Sequence, residues 1–165
     1  NRSCRPIFSD GSCSTIVSSD KKNYIDAFEF GTDGKGALDL SLNEGSKNIY
    51  MNGSRVALFS IKRVPTCIKK LLKRTNKKIT TIDKFIFHQA SKYVLDKIYK
   101  IMNIDKNKIF ENYQNCGNTV SASIPIALKM ASKKKFLKNN DKVILTGFGV
   151  GLSWGSVLIR WKKIH

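Results

Sequence analysis

Three short stretches carry residue types that could do chemistry. His88 closes the apolar run Phe85-Ile86-Phe87 and is one of two histidines in the chain. Its ordinary pKa lets it donate or accept a proton near neutrality, and open α/β sheets place ligand groups at the C-terminal ends of buried strands. A histidine that only satisfies its own hydrogen bonds would suit the same position. Asn118 sits in Cys116-Gly117-Asn118-Thr119, where a fixed side-chain amide can donate to a carbonyl or to a developing enolate oxygen. Gly-Asn is equally common as plain turn chemistry, because Asn tolerates left-handed backbone angles. The third stretch, Gly147-Phe148-Gly149-Val150-Gly151, lets backbone N–H groups approach a ligand closely, or serves only as a tight link between two strands. It is neither a Walker loop nor a dinucleotide fingerprint. Cys116 lies beside Asn118, but nothing near it in sequence would lower a thiol pKa, so a nucleophilic role is not expected.

Positioning these groups requires strands that end together and helices that return the chain. From Ser54 to about Arg74, Val56, Phe59, Ser60, Val64, Cys67, Ile68, Leu71 and Leu72 recur at helical spacing. Asn52 or Ser54 can cap this helix, and Pro65 inside it predicts a kink or two helices in succession. Lys84-Phe85-Ile86-Phe87 is expected as a strand and residues 90–103 as an amphipathic helix. A second strand is expected near Ile109-Phe110, then a helix over about 119–134. Residues 143–146 and 156–161 read as an antiparallel pair. The order α-β-α-β-α-β-β from residue 54 points to a mixed α/β layer structure with buried strands. Ahead of it, residues 5–9 and 14–17 read as two short strands around Gly11. Residues 31–48 read as a glycine-rich polar connection, the best place for a boundary.

A chain of 165 residues with 41% hydrophobic content is large enough for one buried core, and no apolar run approaches the roughly 20 residues that span a bilayer. The start, Asn1-Arg2-Ser3-Cys4-Arg5-Pro6, has neither an initiator Met nor a secretory pattern, so an interior piece of a longer chain is expected. Cysteines at 4, 13, 67 and 116 form no CxxC pair and have no histidine at ligand spacing, which argues against zinc and for reduced thiols in a cytoplasm. The net charge of +18 admits three readings: a lysine-rich composition with no partner, a docking face for an acidic protein, and a nucleic-acid surface. The lysines (69-70, 73, 77-78, 133–135, 162-163) fall on expected helix faces or element ends, which favours the first two over nucleic acid.

Taken in order, His88-Gln89-Ala90-Ser91, Gly117-Asn118-Thr119-Val120-Ser121-Ala122-Ser123-Ile124-Pro125 and Gly147-Phe148-Gly149-Val150-Gly151-Leu152-Ser153-Trp154-Gly155 resemble the C-terminal half of the β-ketoacyl-ACP synthase III family. Phe8-Ser9-Asp10-Gly11-Ser12 resembles a motif near the end of that family's first half. The resemblance implies a thiolase-like layered α/β/α fold with a mixed sheet ending in antiparallel strands. It divides the chain into residues 1–50, the end of the first half plus a connection, and 51–165, the second half.

It also implies decarboxylative Claisen condensation of acyl-CoA with malonyl-ACP, the initiating step of fatty acid synthesis. His88 and Asn118 would stabilise the enolate, and the Val150 backbone N–H would serve a second oxyanion hole. Ser91 and Phe148 would contact phosphopantetheine, and Lys92 would help dock the acidic acyl carrier protein. Ser91 stands where the family has Asn, and Val150 where it has Gly. The family's nucleophilic Cys belongs to its first half, and no segment here resembles its surroundings. The resemblance further implies no bound cofactor, a homodimer in the full-length enzyme, a cytoplasmic location and no membrane. The alternative is a non-catalytic thiolase-like subunit or a carrier-protein binding module.

Overall fold

The computed structural model describes residues 4–19, 22, 24–42 and 44–162. Lys163, one of the lysines placed at an element end, lies outside them. A five-stranded mixed sheet organises the chain around β4 (Lys84–Phe87). β4 runs parallel to β5 (Ile109–Phe110) on one side and to β6 (Lys142–Gly149) on the other. β7 (Ser153–Arg160) returns antiparallel to β6, and β1 (Ile25–Thr32) pairs antiparallel with β7 as the outer strand. A separate two-stranded ladder joins β2 (Leu40–Ser41) to β3 (Tyr50–Met51).

Side chains alternate across the sheet with period two, and both faces are covered around β4. Phe85, Phe87, Ile144 and Leu158 face α1 (Gly53–Arg74) and α2 (Lys92–Met102). Ile86, Val143 and Phe110 face α4 (Ser123–Lys133). A central strand buried on both sides needs apolar residues at every position, hence the unbroken Phe-Ile-Phe run. The mixed sheet between helical layers agrees with the α/β layering expected from the sequence.

The parallel register decides where the chemistry goes. Phe87 pairs with Thr146 and Ile86 with Phe110. The residues after β4, those after β5 and the end of β6 therefore share one edge of the sheet, where ligand groups gather in such folds. Buried Gln89 reinforces this edge. Its amide donates to the Phe87 carbonyl at 2.7 Å and accepts from the backbone N–H groups of Asn112 and Tyr113 at 2.9 and 3.2 Å. One side chain thus ties the exit of β4 to the segment leading to Asn118.

Several local expectations are corrected. Residues 5–9 and 14–17 form no strands: a turn covers Cys4–Ile7, Phe8 makes a single bridge to Asn118, and residues 9–19 are irregular. Ile16 and Val17 are 95% and 86% exposed, so their β-branched character finds no neighbouring strand to pack against. The strand of this region is β1, in residues that gave no sequence signal of their own. Pro65 neither splits nor ends α1, which continues as one helix with Ser60, Val64, Cys67, Ile68, Leu71 and Leu72 buried on one side. Burial of that stripe outweighs the missing N–H bond. Asn52 is the cap, accepting from the Arg55 N–H at 3.2 Å. Residues 31–48 are not a plain connection, since they hold a 3-10 turn (Gly34–Asp39) and β2. The helix expected over 119–134 starts with a 3-10 turn (Val120–Ala122) ahead of α4.

Candidate functional site

At the C-terminal edge of β4 the chain encloses a groove of about 810 Å³. His88, Ser91, Asn118, Phe148 and Val150 all line it, together with Ile7, Phe8 and the first turns of α1. Five of the six residues proposed from the sequence thus meet in one cavity, although they span more than sixty positions of chain.

His88 follows β4 directly and stays in register with β6 through its own N–H, which donates to the Thr146 carbonyl at 2.8 Å. Its Nδ1 lies 2.7 Å from the Ser123 hydroxyl, in the first turn of α4. The ring meets Phe148 edge-on, with centroids 5.3 Å apart. Burial disfavours the imidazolium and pulls the pKa down to about 4, against a smaller opposing pull from the Val120 backbone carbonyl. His88 is therefore a neutral imidazole near pH 7.

Asn118 is held from three sides. Its N–H donates to the Ile7 carbonyl at 3.1 Å and its carbonyl accepts from the Ser9 N–H at 2.9 Å. Its side-chain Oδ1 accepts from the Val120 N–H at 2.9 Å. Because a backbone N–H can only donate, this contact fixes the amide orientation and turns the NH2 end into the donor left for a ligand. The left-handed backbone angles fall on the neighbours, Gly117 at φ 61 and Val120 at φ 52, and not on Asn118. Gly117 is obligatory: a Cβ there would lie 2.8 Å from the Ser9 Cβ. The Ile7-Phe8-Ser9 segment thus seats the Asn118 backbone.

Val150 occupies the turn between β6 and β7, 62% exposed, with an ordinary negative φ, so a branched side chain is sterically allowed there. Ser91 caps α2 by accepting from the Val94 N–H at 3.5 Å, and its O–H proton remains available to a ligand. Lys92 does not line the groove. It begins α2, exposed, and pairs with Asp96 one turn on, which raises its pKa. Among the described residues no cysteine lines the groove: Cys4 and Cys67 are buried elsewhere, Cys13 is exposed, and Cys116 lies behind Gly117 on α3 (Tyr113–Cys116). No group of three or more metal-ligating side chains occurs among the described residues, and no described helix is long and apolar enough to cross a membrane.

Sequence reasoning assigned no role to Gln89, Val120 or Ser123. Gln89 was visible only as part of a motif. The contact between His88 and Ser123 joins positions 35 apart, and no local spacing announces it.

Comparison with known proteins matches residues 72–161 to the family described as 3-oxoacyl-[acyl-carrier-protein (ACP)] synthase III C terminal. The beta-ketoacyl-[acyl-carrier-protein] synthase III of Trichodesmium erythraeum is 34% identical over 171 residues, covering 94% of this chain and 52% of that protein. That of Prochlorococcus marinus subsp. pastoris is 36% identical over 177 residues, covering 97% and 52%. The crystal structure of the Pseudomonas aeruginosa 3-oxoacyl-(acyl carrier protein) synthase III superposes with a TM-score of 0.91 at 28% identity, covering 100% of this chain and 54% of that one. The chain spans about half the length of the relatives it matches.

Proposed function

The chain belongs to the 3-oxoacyl-(acyl-carrier-protein) synthase III family, and from that premise we propose that it is the enolate-stabilising portion of a condensing enzyme that initiates fatty acid synthesis. Malonyl-ACP loses carbon dioxide, and the electrons of the broken C–C bond move into the thioester carbonyl to give an enolate. The enolate carbon then attacks an acyl group that acyl-CoA has delivered to a cysteine, expelling the thiolate and yielding 3-oxoacyl-ACP. Residues 51–165 form the second thiolase-like half and residues 1–50 the end of the first, and the cysteine comes from outside this chain.

One observation carries the reading. His88 and Asn118 line the same groove, each with one polar atom already bonded to a protein partner, Nδ1 to Ser123 and Oδ1 to the Val120 N–H. Each keeps one polar end for a ligand. Two fixed donors meeting a single growing negative charge is what enolate formation demands. A neutral His88 suits the role, since it offers a hydrogen bond without surrendering a proton. The Val150 N–H serves the second oxyanion, on the acyl thioester. Ser91 and Phe148 contact the phosphopantetheine arm within the largely apolar groove. No bound cofactor takes part.

The net charge of +18 steers the acidic carrier protein toward the groove. Lys92 contributes to that field, reduced by its pairing with Asp96. The enzyme works in the cytoplasm as a homodimer of full-length chains.

A second reading is favoured by the groove having no cysteine among its described lining: a non-catalytic module that binds a carrier-protein arm. Carbon dioxide release from malonyl-ACP separates the two. Release that falls about 10²–10³-fold in His88→Ala supports the condensing enzyme. Binding of malonyl-ACP with no release in the native protein supports the module.

A further inference from the structure

We propose that Ser123 is a positioning residue: its hydroxyl donates to His88 Nδ1 and so fixes the imidazole with its proton on Nε2. The tautomer follows from hydrogen-bond accounting, while its catalytic consequence rests on the function proposed above.

Ser123 Oγ sits between the His88 ring and the Gln89 backbone. It is buried, with 2% of the residue exposed, and has two neighbours: His88 Nδ1 at 2.7 Å and the Gln89 N–H at 3.3 Å. A hydroxyl has one proton to give and can accept from two donors. The Gln89 N–H can only donate, so it takes one acceptor position. If Nδ1 also carried a proton and donated, the Ser123 proton would have no acceptor among its described contacts. If the hydroxyl donates to a bare Nδ1, all three groups are satisfied. The ring is neutral near pH 7, so a bare Nδ1 places its single proton on Nε2.

The arrangement is anchored from behind. Ser123 belongs to the first turn of α4, and Gln89 is locked by its bonds to Phe87, Asn112 and Tyr113. The hydroxyl therefore meets a ring whose strand, helix and connecting segment are already fixed relative to one another. His88 parallels Asn118 in this respect. A donor from a rigid element occupies the acceptor atom of each, Ser123 O–H for one and Val120 N–H for the other, and the remaining polar atom of each is a donor.

The test is the imidazole nitrogen spectrum of the ¹⁵N-labelled full chain near neutral pH, with His88 assigned by its disappearance in His88→Gln. The expected result is an unprotonated Nδ1 and a protonated Nε2 in the native protein. Ser123→Ala should move the signals toward a mixture of tautomers, and Ser123→Thr, which keeps the hydroxyl, should retain the native pattern. A protonated Nδ1 in the native protein overturns the proposal without need of any variant. So does a Ser123→Ala spectrum that matches the native one.

In the cysteine-bearing enzyme, malonyl-ACP decarboxylation should fall about tenfold in Ser123→Ala through kcat with KM unchanged, and Ser123→Thr should restore it. If His88→Ala leaves decarboxylation intact, the proposed function fails, while the tautomer stands on the spectrum alone.

Discussion

Two sets of residues line the groove, and they are held in different ways. His88 and Asn118 each have a polar atom bonded to a partner on a rigid element. Leu42 and Ile49 present apolar side chains that are 64% and 41% exposed. The first set is fixed by directional bonds behind the surface, where a shift of a fraction of an ångström would break a contact. The second set supplies greasy surface that a ligand arm can press against in several ways. Chemistry at a developing charge depends on donors that do not reorganise, whereas binding an apolar chain depends mainly on area removed from water. Under the proposed function, these tasks fall on separate residues of the groove.

Substitutions should expose that division. The largest effect is expected from the donors: Asn118→Ala, like His88→Ala, should slow malonyl-ACP decarboxylation about 10²–10³-fold. A comparable loss from Leu42→Ala would erase the distinction.

Next comes the support behind the donors. Gln89→Leu keeps the volume but leaves the Phe87 carbonyl and the Asn112 and Tyr113 N–H groups without their partner, so unfolding in urea should show a loss of about 3 kcal/mol.

A pH effect of similar or smaller size should come from His88. Burial holds its pKa near 4 against 6.5 when exposed, so the unfolded chain binds the proton first as pH falls. Its contribution is complete above pH 6.5 and is lost as pH drops toward about 4, by at most about 3 kcal/mol. Urea midpoints of His88→Gln should depend less steeply on pH in that window. An unchanged slope would mean that the imidazole is not desolvated.

The smallest effect belongs to the exposed apolar set: Leu42→Ala should change stability by less than about 0.5 kcal/mol.

The sequence was most readable where burial is two-sided or periodic. Phe85-Ile86-Phe87 had to be a central strand, and the stripe from Ser60 to Leu72 had to be one face of a helix. The three glycine- and amide-bearing motifs could be placed at strand ends because parallel strands bring their C-termini together. β1 was not readable: it is an outer strand, and Asp26 and Glu29 interrupt its apolar pattern with charges that pair with Arg160 and Lys70. The short β-branched runs ahead of it suggested strands where pairing, a non-local property, does not occur. Ser123 was hidden for a related reason. A serine in a run of small residues looks like any other until the fold sets it 2.7 Å from His88.

Under the proposed function, His88 and Asn118 serve one oxyanion together. Malonyl-ACP decarboxylation by the cysteine-bearing enzyme, measured for His88→Ala, Asn118→Ala and the double variant, tests it most directly. If both donors act on the same charge as a unit, the double variant should be no more than about tenfold slower than the worse single. Losses that multiply in full would mean two independent roles, and the shared oxyanion would have to be given up.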